Sequence, residues 1–120
     1  MNTGVKIFEL LPAKTYNANT NGSAVDLQDY VGKGELRFFL SVGSVSGTSP
    51  TLDVKIQQSD AAGSGFADIA GAAFAQVTAT GNQEIGVTPT KRYVRAVVTV
   101  GGTSPVFGVA CVAVGKARMI

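Results

Sequence analysis

Residues 36–58 read LRFFLSVGSVSGTSPTLDVKIQQ, and residues 92–114 read RYVRAVVTVGGTSPVFGVACVAV. In both stretches, segments rich in β-branched and aromatic residues flank the same tetrapeptide, Gly-Thr-Ser-Pro, at positions 47–50 and 102–105. Glycine adopts positive φ readily, serine and threonine hydroxyls bond nearby backbone groups, and proline fixes φ where a strand begins. Each stretch is therefore predicted to be a β-hairpin with a GTSP turn.

A two-residue period in the flanking segments predicts which side chains face the core. The inward positions are Leu36, Phe38, Leu40 and Val42, then Leu52, Val54 and Ile56, and later Val94, Ala96, Val98 and Val100. Residues 106–114 are apolar on both faces, which is typical of a central strand or of a strand whose outer face meets another subunit. Phe39 is a large aromatic residue on an otherwise polar face.

The composition favours an all-β protein. There are sixteen valines and six leucines among 120 residues, together with fifteen glycines for turns. Charged residues make up 15% of the chain, against roughly 25% in a typical soluble domain. So weakly charged a chain is expected to hide part of its surface in an assembly.

Further strands are predicted at residues 24–30, 66–69, 74–78 and 82–87. Residues 1–22 differ from the rest and are predicted to be an N-terminal arm over the domain or a neighbour, with an ordinary edge strand as the equal alternative. The expected fold is a single-domain antiparallel β-sandwich over residues 23–120, with seven to nine strands; a jelly roll is one such arrangement.

Charge and chemistry narrow the function. The net charge of +2 is too small to indicate nucleic-acid binding, and residues 91–120 hold five basic residues and no acidic one. This asymmetry suits contacts with copies or with an acidic partner, although a solvated edge explains it equally well. In the segment Lys91 to Arg95, strand alternation separates Arg92 from Tyr93 and Arg95. A protein interface is therefore favoured over nucleic acid, since Tyr and Arg are common interface hot spots.

Catalytic and metal sites are not expected. The chain has no histidine, no spacing singles out a carboxylate pair, and Cys111 lies mid-strand, where a buried and inert thiol is expected. The loop at residues 59–68 has oxygen ligands for Ca²⁺, but a tight turn is favoured. We predict no catalytic residue, metal or cofactor, and no intrachain disulfide. We also predict neither a signal peptide nor a membrane span, because Glu9 and Pro12 interrupt the first apolar segment.

Four segments carry a family resemblance: LPAKTYNANTNGSAVDLQDYVG (11–32), SGTSPTLDVKIQQSD (46–60), GFADIAGAAF (65–74) and TKRYVRAVVTVGGTSPVF (90–107). Together they resemble small structural proteins of tailed bacteriophages over about residues 11–116. The resemblance implies a virion protein of the capsid decoration or cement type, made in the host cytoplasm. Such a protein binds the outer surface of the head and stabilises the lattice of the major capsid protein. The resemblance also implies two partners, the major capsid protein and further copies of the chain in a dimer or trimer. It implies no catalytic residues.

The residues predicted to make these contacts share an apolar, aromatic or basic side chain on a polar stretch: Phe8, Leu10, Leu11, Tyr16, Phe39, Arg92, Tyr93 and Arg95. Two alternatives remain from the sequence. One is a tail or neck component; the other is a carbohydrate-binding module for attachment, although the chain has no tryptophan for an aromatic platform.

Overall fold

The computed structural model describes residues 5–27 and 35–116 and shows an all-β protein. Seven strands form one antiparallel sheet: β1 (Val5–Tyr16), β2 (Thr20–Asn21), β3 (Val25–Asp26), β4 (Leu36–Ser59), β5 (Ala67–Ala73), β6 (Gly81–Val87) and β7 (Tyr93–Lys116). The all-β class and the antiparallel pairing are confirmed. The strands are joined in one continuous sheet, so the expected pair of separate sheets is not confirmed.

The sheet is continuous because β4 and β7, of 24 residues each, pair with each other along almost their whole length. Their register runs from Arg37 opposite Val114 to Ser59 opposite Tyr93. The two GTSP segments lie inside these strands and face each other, with Thr48 opposite Thr103. The two predicted hairpins are therefore wrong: each stretch is one long strand, and each pairs with the other.

The backbone at the GTSP segments explains this correction. Gly47 and Gly102 have φ values of 112° and 105°, Ser49 and Ser104 both have φ of 49°, and the register shifts on either side of Thr48. Positive φ and an irregular register are features of a β-bulge as well as of a turn. The same residue chemistry therefore bends a continuous strand here.

The ends of the β4–β7 pair are flanked by different strands, and this creates two half-sheets. The first half-sheet contains β1, residues 106–116 of β7, residues 36–46 of β4, and β6. The second contains β2 and β3, residues 93–101 of β7, residues 51–59 of β4, and β5. The backbone N–H of Gly22, beside β2, donates to the Ala96 carbonyl at 2.7 Å. An added Cβ on Gly22 would lie 2.8 Å from the Leu10 carbonyl oxygen, so the edges of the two half-sheets meet there.

Both half-sheets turn their inner faces to one hydrophobic core. Alternation in β4 and β7 places every second side chain in it, and the predicted inward positions are buried except Val100, which is half-buried. The largest fully buried side chains include Phe38, Phe107, Leu10, Leu11, Leu27, Leu40, Leu52 and Ile56. The outer face of each half-sheet points away from this core.

Residues 5–16 form the edge strand β1, which was the alternative to an arm. Phe8, Leu10, Leu11 and Tyr16 are 7%, 1%, 1% and 3% exposed and belong to the core of this chain. A register shift between Glu9 and Leu11 lets both leucines face inward. The prediction that these four residues contact a partner is thus corrected, since the strand that carries them completes the core instead.

The remaining strand predictions have mixed outcomes. The strand predicted at residues 24–30 is observed as β3, and residues 28–34 lie outside the described residues. Of the two strands predicted between residues 59 and 82, β5 is present; residues 74–78 form only a bridge between Val77 and Leu52. The strand predicted at residues 82–87 is confirmed as β6.

Candidate interaction surfaces

The outer face of the second half-sheet is polar and tightly hydrogen-bonded; we call it the polar face. The Lys55 ammonium lies 3.1 Å from the Asp68 carboxylate, and the Gln57 amide donates to Asp68 at 2.8 Å. Both contacts lower the pKa of Asp68, and the hydrogen bond from Gln57 has the larger effect. The Gln57 carbonyl oxygen in turn accepts a hydrogen bond from Arg95 Nε at 2.9 Å.

Two arginine–aromatic stacks lie on the polar face at the start of β7. The Arg95 guanidinium lies 4.3 Å from the centre of the Phe66 ring, and that of Arg92 lies 5.1 Å from the centre of the Tyr93 ring. Arg92 also donates to both carboxylate oxygens of Asp26 at 2.9 and 2.8 Å, which raises its pKa. Each guanidinium is therefore held in place before any partner arrives.

The structure thus brings together three of the predicted contact residues, Arg92, Tyr93 and Arg95. Strand alternation separated Arg92 from Tyr93, but Asp26 on the paired strand β3 draws the guanidinium over the ring. Phe66 was not predicted for this surface. Its contact with Arg95 joins residues 29 positions apart, and no local pattern indicates such a contact.

The outer face of the first half-sheet is apolar; we call it the apolar face. Ile7 lies opposite Val114, and Phe39 lies between Val112 and Glu84. Ile7 is 66% exposed and is the one exposed large hydrophobic residue in the described part of the chain. Phe39, Val112 and Val114 are half-buried. The predicted contact residue Phe39 therefore lies on a different half-sheet from the arginine stacks.

A shallow groove of about 420 Å³ adjoins the apolar face along β7. Its walls come from β1, β4 and β7 and are built mostly of small side chains: Ala13, Lys14, Thr15, Ser41, Gly43, Ser44, Gly108, Val109 and Ala110. Lys14 is the charged residue of this lining, and its ammonium lies 5.2 Å from the centre of the Tyr16 ring. Apart from Lys14 and Val109, the groove is lined by small side chains.

The other end of the apolar face carries acidic groups. Arg37 is bound by two carboxylates, at 3.0 Å from Glu35 and 2.8 Å from Glu84. Glu9 is exposed on β1 opposite Val112. The acidic groups therefore lie beside the large apolar residues, and Lys14 borders the groove.

The remaining chemical candidates are weak. Burial raises the pKa of the Cys111 thiol to about 12, as predicted for an inert core cysteine. In the loop considered for Ca²⁺, Asp60 pairs with Lys91 at 3.1 Å, and Ser59 bonds the Ser64 carbonyl. Residues 5–27 and 35–116 contain no cluster of three or more His, Cys, Asp or Glu side chains placed to hold a metal.

The described part of the chain also has no helix with the length and hydrophobicity needed to cross a lipid bilayer. Comparison of the chain with protein-family models, with curated proteins and with solved structures finds no match.

Proposed function

We propose that this chain is a non-enzymatic structural protein of a tailed-bacteriophage virion. It binds the outer surface of the head through its polar face and stabilises the lattice of the major capsid protein. The observation that carries the proposal is the pair of arginine–aromatic stacks on the polar face, Arg95 on Phe66 and Arg92 on Tyr93. Arg92 is exposed, and the other three side chains are half-buried. The resemblance of residues 11–116 to phage structural proteins supports the choice of partner.

The polar face has the chemistry of an interface between partners that fold separately. Such interfaces are about as polar as the rest of a protein surface, and arginine and aromatic residues dominate their binding energy. Asp26 and Gln57 already fix Arg92 and Arg95, so less side-chain entropy is lost when a partner binds. A capsid protein that presents carboxylates and carbonyl oxygens would complement the positive charge of both guanidinium groups.

Repetition explains how so small a contact stabilises a shell. A standard interface buries about 800 Å² per partner. Each capsid subunit of a lattice offers the same binding site, so links between neighbouring subunits add up over the whole head. The protein would contribute binding energy that is lost when capsid subunits separate, without any chemical step.

The test is co-sedimentation of the purified chain with phage heads that lack it. Wild-type protein is expected to pellet with heads and to raise the temperature at which they burst. Arg95→Ala and Phe66→Ala are expected to bind roughly 30-fold more weakly, as for a hot spot of about 2 kcal/mol. Arg95→Lys keeps the charge but loses the planar stack, so it should also bind weakly.

Arg37→Ala is the matched control, because it removes one arginine from the apolar face and should bind within about 3-fold of wild type. Normal binding by Arg95→Ala would overturn the assignment of the polar face. If wild-type protein did not bind heads but bound tails or glycans, the proposed decoration function would be overturned.

A further inference from the structure

We infer that the apolar face binds a second copy of this chain, in an isologous dimer that buries Ile7 of each copy against the groove of the other. This inference does not rest on the proposed capsid binding, which uses the polar face. It rests on a match between two parts of one surface, the apolar ridge and the small-residue groove. We define the ridge as Ile7, Phe39, Val112 and Val114.

The ridge and the groove follow each other along the same strands. On β7, the ridge is centred between Val112 and Val114 and the groove between Gly108 and Ala110. Four residues of strand separate the two centres, or about 13 Å. A two-fold axis that lies in the interface, perpendicular to the strands and level with Cys111, places the ridge of one copy on the groove of the other.

Charged residues on the edge strand β1 follow the same order along the strand. Glu9 lies beside the ridge, opposite Val112, and Lys14 lines the groove. The two-fold operation that seats the ridge in the groove brings Glu9 of each copy towards Lys14 of the other. A surface that is self-complementary in both shape and charge specifies a copy of itself as its partner.

The area of the face sets the expected affinity. Four strands about 4.8 Å apart, with roughly ten residues each, cover on the order of 600 Å². This is below the ~800 Å² per partner of a standard interface, so we expect a dissociation constant on the order of 10 µM. The dimer leaves the polar faces free on its outer sides, where it would link two capsid subunits that flank it.

The experiment is sedimentation equilibrium of the purified chain at concentrations up to about 1 mM, which spans the expected dissociation constant. Wild type is expected to pass from monomer to dimer. Ile7→Ser removes the most exposed apolar side chain of the ridge. Gly43→Gln fills the groove at a position where an added Cβ meets nothing within 4 Å. Both variants are expected to weaken the dimer roughly 10-fold or more. Thr99→Ser on the polar face is the control and should leave the dimer unchanged.

Charge reversal separates this geometry from other dimers. The homodimer of Lys14→Glu and the homodimer of Glu9→Lys should each dissociate more readily than the wild-type dimer, because each then contains two like-charge contacts. Mixing the two variants should restore dimers, since both contacts of the mixed pair are then opposite in charge. A wild-type chain that stays monomeric at about 1 mM would overturn the inference. The inference would also be overturned by a dimer that Ile7→Ser and Gly43→Gln do not weaken, or by charge variants that form no more dimer when mixed than alone.

Discussion

Replacing Gly47 by alanine is expected to lower the free energy of unfolding by about 3 kcal/mol. A residue with a Cβ at positive φ costs roughly 1–2 kcal/mol, and Gly47 has φ of 112°. The new Cβ would also lie 2.6 Å from the Ser104 carbonyl oxygen and 2.9 Å from the Pro105 Cα. Both are backbone atoms of the facing strand, so relieving the overlap moves a strand, at a further cost of roughly 1–3 kcal/mol.

Gly102→Ala should behave alike, because its Cβ would lie 2.6 Å from the Ser49 carbonyl oxygen across the same pair of strands. Gly43→Ala is the matched control in β4, since an added Cβ there meets nothing within 4 Å. Guanidinium denaturation of the variants gives the differences directly. If GTSP were the tip of a hairpin, Gly47→Ala would lack the clash with the facing strand. If Gly47→Ala lost no more, relative to Gly43→Ala, than the roughly 1–2 kcal/mol of positive φ alone, the pairing of β4 with β7 at these segments would be refuted.

Three further predictions concern the core. Deleting residues 1–16 is expected to abolish folding, because the four buried side chains it removes stabilise by roughly 6–12 kcal/mol, about the stability of a whole domain; a cooperative thermal transition in the truncated chain would contradict this. The Cys111 thiol has a pKa of about 12 when folded and 9.0 when free. The unfolded chain therefore loses this proton first, and stability should fall by about 1.4 kcal/mol per pH unit from pH 9 to 12. Cys111→Ala should not show this loss of stability with rising pH, as measured by denaturation at several pH values. If wild type and Cys111→Ala lost stability equally between pH 9 and 12, the prediction would be contradicted. Tyr16→Phe should cost about 1 kcal/mol, measured in the same way, because it removes the hydrogen bond to the Pro12 carbonyl at 3.0 Å; no measurable loss would mean that the bond contributes nothing.

Alternation along each strand was sufficient to predict the inner face of the sheet. Phe38 and Leu40 on β4 and Val94 and Val98 on β7 are all buried as expected. A two-residue period depends only on the local backbone, so neighbouring residues report it reliably. The all-β class followed from the same local preferences.

Strand partners were not predictable in this way. A GTSP segment with positive φ suits a turn and a bulge equally, and only the distant strand decides between them. The pairing of Thr48 with Thr103 joins residues 55 positions apart. The role of β1 was hidden for a similar reason, since the bulge that turns both Leu10 and Leu11 inward breaks the alternation.

The surfaces depend even more on distant contacts. Arg92, Tyr93 and Arg95 were predicted from residue type, but their ordering by Asp26 and Phe66 arises only in the folded chain. The apolar face was indicated by the two apolar sides of residues 106–114. Its groove depends on the register of β1 against β7, which the sequence does not reveal.

The most direct test of the whole account is a cryo-electron microscopy map of phage heads incubated with this protein, at a resolution that shows side chains. The account predicts Arg95 and Phe66 in contact with the major capsid protein, and Ile7 seated in the groove of a second copy. A head without this density, or one in which the arginine stacks face solvent, would contradict it.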